Sequence, residues 1–594
     1  MAALYAVGAL HYDSVVSTTL EESGGKLVLF YPLIDVDIRQ SYESTWGVRH
    51  INFHISMQSL GIPKPMYPLS KERSITGPQI LVTHVTIIYR LLRFEHVQQF
   101  MLPLSSQPRT NVSHEDKENL ELLKLIDWPR PPSVITNFNV STSPKTCQYY
   151  TLNSQTEYKV GDTLKVIILS HDHDGRPKTY GGDFFRAKVH SPNLKAGITG
   201  QVLDYGNGTY LATFLLLWPG EVQVDIRLFH SSEAVAVLKD KRDRFPEKVY
   251  FHGHFHYNGS TEVTECNLEL SQSNVCIYKD PLGGGTWQCV KPQNLSCDCL
   301  VYHEAGGYRK VTNSFEDTLL FGSVTDQIIR GSVPKIKVEM SNYTLDLTSK
   351  LPACIPGLEL QTPSGYYYND MWKSLVCLGQ HFPKHSNASS CLRGKIIYMF
   401  GDSTLRQWFE YLEHFIPTLK RIDMHVNYQS GPLVATDPEF GIYMEWRAHG
   451  LPLRTSKTML SDLHYEAAHI AGIGGGPNTV VVLTIWAHFT TFPVTYYIRR
   501  IAAIHQAIAS LLFRSPQTTV LIKSANTGYK SIYGSDWLSL QLDTILRASF
   551  KGMAVTVLDV WDMTSCHYLP DMIHPGQPVI RNEIDLMLSY ICHI

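Results

Sequence analysis

The chain has 594 residues, with 52 basic and 54 acidic side chains and a formal net charge of −2. This length predicts two to four domains with room for sizeable cores. The balanced charge excludes a broad nucleic-acid-binding surface and a polyanionic tail. Aromatic residues make up 11% of the chain, which is typical of β-rich domains and of surfaces that face carbohydrate. Packing in β cores is the more common of these two reasons.

Residues 1–130 form an N-terminal segment with no defined pattern. The start, Met1–Val7, lacks a basic region and a sustained apolar core, so it is a poor signal peptide. The most apolar internal stretch, Ile80–Tyr89, is shorter than the roughly 20 apolar residues that a membrane span needs. A charged patch at His114–Asn119 predicts a linker, and Trp128–Pro132 marks a domain boundary.

Residues 131–253 have the pattern of a β-sandwich. Apolar residues occupy every second position of Val222–Leu228, which predicts one buried face and one solvated face. Turn residues at Asp204–Tyr210 separate this strand from the one before it. The segment resembles an immunoglobulin-like domain of the filamin or neurexophilin type. Such a resemblance implies a domain that binds or spaces rather than one that catalyses.

Two histidine groups in this part of the chain have a spacing that a metal ion could use. His171 and His173 lie in a predicted hairpin loop, and His252, His254 and His256 alternate along one strand face. Alternate histidines can chelate zinc or copper. Aromatic residues on the opposite face of the second group are more typical of an ordinary edge strand, so we predict no metal site.

Residues 254–353 contain a cysteine cluster that predicts a disulfide-stapled connector. Its five cysteines lie within 34 residues, at Cys266, Cys276, Cys289, Cys297 and Cys299. The cluster lacks the paired CxxC motifs or the histidine pair of a zinc site, so we expect at least two disulfides. The odd total of eleven cysteines leaves one thiol free or one bridge between chains.

Seven Asn-x-Ser/Thr sequons also predict a secretory-pathway protein. They are at Asn111, Asn139, Asn207, Asn258, Asn294, Asn342 and Asn387. Sequons and disulfides together place the chain in the Golgi lumen or outside the cell. No sequon follows Asn387, which suits a compact C-terminal domain.

Residues 354–594 alternate apolar runs with helical patterns, which predicts a parallel sheet covered by helices. Apolar runs occur at Thr479–Trp486, Thr518–Lys523 and Met553–Val560, and a helical pattern runs through Ile498–Leu512. In such sheets functional groups gather at the carboxyl ends of the strands.

The first strand of this domain, Lys395–Phe400, ends in Gly-Asp-Ser, and a helical pattern begins at once. This geometry lifts Ser403 to a helix N-terminus, where free N–H groups favour a developing oxyanion. The short motif is equally compatible with a helix cap. Asp571 and His574 lie three residues apart after the last strand and can supply an orienting acid and a base. Ser403, Asp571 and His574 can therefore meet at one sheet edge.

Gly401–Trp408 together with Asp571-x-x-His574 resembles the PC-esterase branch of the GDSL-like acyl esterases. Within that branch, the chain from about Pro131 onward resembles the neurexophilin and PC-esterase domain family. The resemblance implies an α/β/α catalytic domain that transfers or hydrolyses O-acyl groups on carbohydrate. It gives Ser403 the role of nucleophile, Asp571 that of orienting acid and His574 that of base.

Leu483–Pro493 resembles the strand-end Gly-x-His-Phe segment of the same family. This resemblance implies that His488 donates to the oxyanion together with the backbone N–H of Ser403. Trp486 stands where that family has glycine. In the segment Trp446–Pro452, a glycine could also donate to the oxyanion and an arginine could hold a charged substrate, although an ordinary turn explains this segment equally well. The candidate substrate-binding residues are Arg406, Trp446, Arg447 and Trp486.

Aromatic residues are frequent in the loops expected around the site, and packing at the sheet edge accounts for most of them. They are Trp446, Trp486, Phe489, Phe492, Tyr529, Tyr533, Trp537 and Tyr568. A few of them facing Ser403 would exclude water and favour transfer of the acyl group over hydrolysis.

The leading hypothesis is a carbohydrate O-acyltransferase that moves an acetyl group to glycan hydroxyls through an acyl-serine. It requires no cofactor, and acetyl-CoA is one candidate acyl donor. Its partner is a glycan or glycoprotein acceptor, with no nucleic acid. The alternatives are a glycan O-acetyl esterase and a secreted protein that binds a cell-surface receptor through its immunoglobulin-like domain. In the last case the esterase-like domain is inactive. Since the start is a poor signal peptide, either the targeting segment is atypical or this N-terminus is not that of the mature family. The second alternative is favoured, because the first 95 or so residues resemble nothing in the family pattern.

Overall fold

The computed structural model describes residues 36–41, 50–55, 114–152, 157–280, 282, 285–333, 335–341 and 351–592. The chain divides into two compact units, Met1–Arg109 and Thr110–Ile594. In the first unit the described residues form one antiparallel pair, β1 (Val36–Ser41) and β2 (His50–Ile55).

Several features predicted from the sequence lie outside the described residues. These are the Met1–Val7 start, the Ile80–Tyr89 stretch and the sequons at Asn111 and Asn342. Among the residues that are described, no helix combines the length and apolar composition of a membrane span.

The second unit opens with helix α1 (His114–Leu125), in a stretch where the sequence predicted a linker. The charged patch at His114–Asn119 is the first half of this helix. Leu122 and Leu123 pack against the C-terminal core. The helix has so few apolar residues, among many charged ones, that the sequence shows no clear helical periodicity.

An antiparallel sheet follows, wrapped around a core of its own. Its strands are β3 (Gln148–Thr151), β4 (Glu157–Lys159), β5 (Thr163–Leu169), β6 (Phe184–Ser191), β7 (Ala196–Asp204), β8 (Thr209–Leu215) and β9 (Gly220–His230). The hydrogen-bonded order is β3-β5-β8-β7-β6-β9, all antiparallel. Side chains from both ends of this order share one core, so the sheet folds over on itself. Helix α2 (Ser232–Arg244) closes the region.

Strand β9 has the predicted alternation, and its polar face is solvated in the first half of the strand, where Glu221 and Gln223 are exposed. Val222, Ile226 and Leu228 lie in the core. Asp225 and Arg227, on the other face, line a cavity of about 450 Å³ shared with the C-terminal helices.

The cysteine-rich region is itself a sheet rather than an irregular connector. It consists of β10 (Val249–Tyr257), β11 (Ser260–Asn267), β12 (Val275–Lys279), β13 (Thr286–Val290) and β14 (Leu300–Tyr308). The strand order is β12-β13-β11-β10-β14. Disulfides Cys266–Cys289 and Cys276–Cys297 confirm the two predicted bridges of the cluster.

All eleven cysteines are described, and three of them are free. The other two disulfides are Cys354–Cys377 and Cys391–Cys592. Cys147 and Cys566 are buried thiols, and Cys299 is partly exposed. The expectation of a single free thiol was therefore wrong, because an odd count sets only a minimum. Four disulfides agree with an oxidising compartment.

Short elements link this region to the C-terminal domain. They are α3 (Ser314–Leu319), β15 (Gln327–Ile328), β16 (Arg330–Gly331), β17 (Ile336–Glu339), β18 (Gly365–Tyr368), β19 (Met371–Ser374) and α4 (His385–Cys391). Strands β15 to β18 pair back onto the N-terminal sheet, at β9, β3, β4 and β7.

A mixed seven-stranded sheet forms the centre of the C-terminal domain. Its described elements are β20 (Ile396–Gly401), α5 (Ser403–Phe415), β21 (Lys420–Ile422), β22 (Leu433–Asp437), β23 (Ile442–Ala448), β24 (Thr458–Met459), α6 (Glu466–Gly472), β25 (Thr479–Thr484), α7 (Val494–Arg514), β26 (Thr519–Lys523), β27 (Lys530–Ser531), β28 (Gly534–Ser535), α8 (Asp536–Ser549), β29 (Thr556–Leu558), α9 (Val560–Cys566) and α10 (Gln577–Ile591). Two short strands, β27 and β28, pair only with each other, and β24 joins β14.

The sheet order is β21-β22-β23-β20-β25-β26-β29. The pairs from β23 to β29 are parallel, and the β21-β22-β23 edge is antiparallel. The antiparallel edge departs from the purely parallel sheet predicted from the sequence. Helix α5 contacts β20 and α10, whereas α7 contacts α6 and α8. Parallel strands bring their carboxyl ends to one edge, where Ser403 follows β20.

The N-terminal sheet is bonded directly to the C-terminal domain. The Lys188 Nζ atom donates to the His567 carbonyl at 2.8 Å, and Thr199 Oγ1 donates to Asp562 at 3.0 Å. A Cβ atom on Gly197 would lie 2.1 Å from the Cys566 carbonyl oxygen, so β7 packs closely against the end of α9. Only glycine allows this approach.

Candidate active site

Ser403 is the first residue of α5, and its neighbour Asp402 caps the helix. Asp402 Oδ1 accepts a hydrogen bond from the Thr404 N–H at 2.9 Å, and Oδ2 accepts one from the Ala487 N–H at 3.1 Å. The capping role is therefore filled by Asp402, which leaves the Ser403 hydroxyl available. The N–H of Ser403 has no intrahelical acceptor, because it belongs to the first turn.

His574 lies beside that hydroxyl. Its Nε2 atom is 2.9 Å from Ser403 Oγ, which is hydrogen-bonding distance for a nucleophile and its base. Two side chains hold the histidine loop: Asn526 Nδ2 donates to the Ile573 carbonyl at 2.7 Å, and Gln407 Nε2 donates to the Pro575 carbonyl at 2.8 Å.

The surroundings of His574 keep its ring neutral. Partial desolvation lowers the pKa of His574 below its usual value of 6.5. The Asp402 carboxylate opposes this shift, whereas the positive charges of Arg406 and Lys523 add to it. A neutral imidazole is the form that can accept the proton of a serine hydroxyl.

Asp571, the predicted orienting acid, pairs with an arginine of the N-terminal sheet. Its Oδ2 atom lies 2.6 Å from Arg186 Nη1, and the same nitrogen lies 2.6 Å from Asp536 Oδ2. Among the described residues, no hydrogen bond or ion pair joins Asp571 to His574. A buried guanidinium attracts a carboxylate more strongly than a neutral imidazole does, which explains the preference. The structure therefore brings together two of the three predicted residues.

Arg186 separates the pKa values of the two carboxyl groups that it contacts. Burial alone would raise the pKa of Asp571, but the Arg186 charge outweighs it and the pKa is lowered. Burial raises the pKa of Asp536 to about 7, against the opposing effect of Arg186 and with a contribution from Asp571. Asp571 is thus the ionised partner of Arg186 at neutral pH.

Ser403 and His574 open into a cavity of about 210 Å³. Arg406, Arg454 and His488 also line it. Among the described residues that line it, Asp402 is the only carboxylate, and its oxygens accept hydrogen bonds from the N–H groups of Thr404 and Ala487. The cavity therefore presents positive and neutral polar groups to a ligand.

The structure places Arg406 and Trp446 at the cavity and Arg447 and Trp486 away from it. The Arg406 guanidinium lies 5.6 Å from the Trp446 ring centre. Arg447 pairs with Glu445 and lines a different cavity, because successive residues of β23 point to opposite faces. Trp486 is fully buried, with its ring 5.7 Å from that of Tyr529.

The other aromatic residues expected near the site serve mainly as core. Phe489, Phe492 and Trp537 are fully buried. Trp446 is the one aromatic residue of that set in the described lining of the Ser403 cavity. Most of the set therefore packs at the sheet edge, as the sequence analysis anticipated.

The five sequons within the described residues all have exposed asparagines. They are Asn139, Asn207, Asn258, Asn294 and Asn387. The described part of the chain contains no group of three or more His, Cys, Asp or Glu side chains that could hold a metal ion.

Several residues of the site were not singled out by the sequence analysis. Asn526 follows β26 and His449 follows β23, so their positions at strand ends carried a signal that was available. Arg186, by contrast, is more than 200 residues before Ser403 on another sheet, and nothing in the spacing of residues points to it.

Two family models match the chain. The neurexophilin model matches residues 114–320, and the model for the C-terminal domain of NXPE family member 4-like proteins matches residues 372–592. Together the two matches cover the regions of both sheets that contribute to the site.

Solved structures show only remote likeness. A family two carbohydrate esterase from Clostridium thermocellum, in complex with cellohexaose, is 9% identical with a TM-score of 0.17, over 73% of this chain and 92% of that one. The Escherichia coli adhesin FdeC is 10% identical with a TM-score of 0.12; the chain spans 65% of its length, using 33% of its own. These TM-scores are too low to establish a shared fold.

Proposed function

The chain belongs to the NXPE family, with a neurexophilin-type domain before the family's C-terminal domain, and on this premise we propose a carbohydrate O-acyltransferase. The observation that carries the proposal is the 2.9 Å contact between Ser403 Oγ and His574 Nε2 at the N-terminus of α5. The Gly-Asp-Ser and Asp-x-x-His motifs support a GDSL-like α/β/α domain of the PC-esterase type.

In the first half-reaction, Ser403 Oγ attacks the acyl carbonyl of the donor while its proton passes to His574 Nε2. The tetrahedral oxyanion is stabilised by the free N–H of Ser403 and by the guanidinium groups of the cavity. Collapse expels the leaving group of the donor, which takes the proton from His574. The product is an acyl ester on Ser403.

In the second half-reaction, a sugar hydroxyl attacks the acyl-serine. His574 removes the proton of that hydroxyl and returns it to Ser403 Oγ as the ester bond breaks. We take the acyl group to be acetyl and acetyl-CoA to be one donor, with a glycan or glycoprotein as acceptor. The disulfides and exposed sequons support a site of action in the Golgi lumen or outside the cell.

A glycan O-acetyl esterase is the second candidate. His574 is exposed at the rim of the cavity, and Trp446 contributes little accessible aromatic surface. Water at roughly 55 M therefore competes with a sugar for the acyl-serine unless the acceptor is held in attack geometry, where effective molarities reach about 10⁵ M.

A fluorophosphonate probe tests whether Ser403 is activated. We expect covalent labelling of the folded protein at Ser403, its loss in Ser403→Ala and its strong reduction in His574→Ala. Ser314 is a matched control because it too is the first residue of a helix, with Asn313 as cap, and it is at least as accessible as Ser403. The Ser314→Ala variant should label like the wild type. Equal labelling of wild type and Ser403→Ala, or none in either, would overturn the proposal.

The products then separate transferase from esterase. With a labelled acyl donor and a glycan acceptor, acylated glycan forming faster than free acid supports transfer. Free acid as the main product at saturating acceptor would make the chain an esterase.

A further inference from the structure

Two histidines lie at the ends of the two strands that flank β20, and they bond to each other beside the Ser403 cavity. His449 follows β23 and is fully buried, and His488 follows β25 and lines the cavity. Their rings are joined between His449 Nε2 and His488 Nδ1 at 2.8 Å. The other nitrogen of His449, Nδ1, lies 2.6 Å from the Gly450 carbonyl oxygen.

The carbonyl of Gly450 fixes where the protons lie in this pair. A carbonyl oxygen can only accept, so His449 Nδ1 carries a proton. In a neutral His449 the Nε2 atom then carries a lone pair and accepts the 2.8 Å hydrogen bond, whose proton belongs to His488 Nδ1. By the same rule, a neutral His488 has its own lone pair at Nε2.

The environment keeps both rings neutral. Burial lowers the pKa of His449, although Glu466 and Asp402 act in the opposite direction. Burial also holds the pKa of His488 well below its usual value, and the nearby His449, Arg454, Arg406 and His574 lower it further. Neutral rings give the single proton arrangement described above.

His488 Nε2 is left as an acceptor at the site. In the described part of the chain the hydrogen bond of His488 is made by Nδ1, and Nε2 is not one of the buried polar atoms that lack a partner. Arg406, Arg454 and Ser403 line the same cavity and carry hydrogen-bond donors. An acceptor among donors is suited to a ligand hydroxyl, which can donate to one group and accept from another.

We propose that His488 Nε2 accepts a hydrogen bond from a second hydroxyl of the acyl acceptor, next to the hydroxyl that reacts. The site thereby selects vicinal diols, the arrangement found in sugars, over simple alcohols. His449 is a positioning residue that keeps the lone pair of His488 towards the cavity. The inference rests on the proposed acyl transfer through Ser403, and it replaces the oxyanion-donor role that the sequence suggested for His488.

Small probe alcohols test this selection without knowledge of the natural acceptor. The purified full chain is given p-nitrophenyl acetate as donor and either cis-1,2-cyclohexanediol or cyclohexanol as acceptor, and acetylated product is compared with free acetate. In the wild type we expect a diol preference of about tenfold, the usual value of one hydrogen bond to a neutral group. Equal use of both alcohols, after the roughly twofold statistical correction for two hydroxyls, would overturn the inference without any variant.

The ratio of transfer to the diol and to the simple alcohol is then compared between the wild type and variants of the two histidines. In His488→Phe the diol preference should fall to the statistical value, whereas His488→Gln keeps a side-chain oxygen as acceptor and should retain part of it. His449→Phe should also lose the preference, and His449→Gln should restore it, since its side-chain oxygen can accept from His488 Nδ1. General damage to the site would lower the rates of transfer to both alcohols equally and leave their ratio unchanged. An unchanged ratio in His488→Phe would count against the inference.

The donor half-reaction separates this inference from the function on which it rests. Release of p-nitrophenol by the wild type but not by Ser403→Ala reports the acyl-serine. If that release is present and the diol preference survives in His488→Phe, the inference alone is overturned. If Ser403→Ala releases p-nitrophenol as fast as the wild type, both the function and the inference are overturned.

Discussion

The Arg186 guanidinium holds two carboxylates, Asp536 and Asp571, at a single nitrogen atom. Only one of them is fully ionised at neutral pH, because burial raises the pKa of Asp536 to about 7. The Arg186–Asp571 pair therefore carries most of the attraction. In the proposed reaction His574 would therefore act with Ser403 as a dyad, because no described carboxylate bonds to its ring.

This arrangement predicts a modest catalytic role for the Asp571 carboxylate. Asp571→Asn should lower kcat by about tenfold or less, because no contact with His574 is lost. An acid that orients the histidine of a triad contributes about 10⁴-fold in comparison. Steady-state kinetics beside Ser403→Ala, with urea unfolding to monitor stability, provide the measurement. A loss near 10⁴-fold in a stably folded variant would show that Asp571 leaves Arg186 and joins His574 during the reaction.

The pH dependence of kcat/KM should report His574. The base must be neutral, so activity falls as pH decreases through its pKa, and that pKa lies below 6.5. Arg406 contributes to the lowering, so Arg406→Gln should move the acid limb to higher pH whatever its effect on the maximum rate. Arg447→Gln is the matched control, since Arg447 lines another cavity. An acid limb that stays in place in Arg406→Gln would contradict the assignment of the limb to His574.

At the level of elements, the loop that carries His574 depends on the turn after β26. Gly528 has a φ of +118°, and a Cβ atom there would lie 2.5 Å from the Ile573 nitrogen. Gly552 has a φ of +84° with nothing within 4 Å, so it shares the backbone requirement without the contact. Comparing alanine substitutions at these two glycines therefore distinguishes the effect of backbone strain from that of displacing the His574 loop.

We expect Gly528→Ala to reduce acyl transfer much more than Gly552→Ala does. Both substitutions carry a backbone cost of about 1–2 kcal/mol, measurable by urea unfolding. Only the first pushes the His574 loop away from Ser403, and a shift of about 1 Å can cost 100-fold in rate. Equal activities for the two variants would show that the loop adjusts to the added methyl group.

The elements that position Ser403 could be predicted from the sequence because each produces a pattern among residues that are close together in the chain. The apolar runs that gave β20, β25 and β26, and the helical stripe of α5, depend on neighbours within a few residues. The face of a strand is also local: once β23 is placed, Trp446 and Arg447 must point to opposite sides. Arg447 was predicted to bind substrate, but the alternation that turns Trp446 towards the Ser403 cavity turns Arg447 to the opposite face of the sheet.

Contacts between distant parts of the chain could not be read in this way. Asp571 has the spacing of a catalytic acid, but its partner is decided by Arg186, which arrives from another sheet. Which ring nitrogens of His449 and His488 carry protons likewise depends on distant parts of the chain. It is set by the Gly450 carbonyl and by the approach of the ends of β23 and β25. Helix α1 was missed since charged residues fill its first turns and only a few leucines face the core.

At the scale of the whole molecule, the N-terminal sheet belongs to the support of the active site. Arg186, Lys188 and Thr199 contact the C-terminal domain near the His574 loop. His230 Nε2, at the end of β9, lies 2.7 Å from Ser535 Oγ. Lys248, in the turn after α2, adds a bond from its Nζ atom to the Thr491 carbonyl at 2.9 Å. The sheet is therefore bonded to the C-terminal domain at several points rather than tethered by a linker.

Removal of Arg186 should destabilise the protein in a pH-dependent way. In the wild type the lowered pKa of Asp571 contributes stability above its unfolded pKa, which is lost as pH falls. In Arg186→Gln two buried carboxyls lack a counter-ion, which costs about 3–5 kcal/mol when both are ionised. Their pKa values are then raised, so the deficit grows as pH rises and shrinks as pH falls.

Urea unfolding at pH 5 and pH 8 measures this dependence. The loss of stability in Arg186→Gln should be larger at pH 8. Lys335→Gln is the control, because Lys335 forms an exposed ion pair with Glu221, and such pairs contribute little. A deficit that is equal at both pH values would show that the guanidinium acts through packing alone.

The shared buried charges have a practical consequence for anyone who expresses this protein in pieces. A polypeptide that begins at Cys354 would expose Asp536, Asp562 and Asp571 to solvent. It would lack the Arg186 guanidinium and the Thr199 hydroxyl that contact these carboxyl groups in the full chain. It would also expose the surface of α9 on which Gly197 rests. Recombinant production for assay or crystallisation should therefore retain the neurexophilin-type sheet, since a shortened chain would be expected to lose both solubility and the fixed position of its histidine loop.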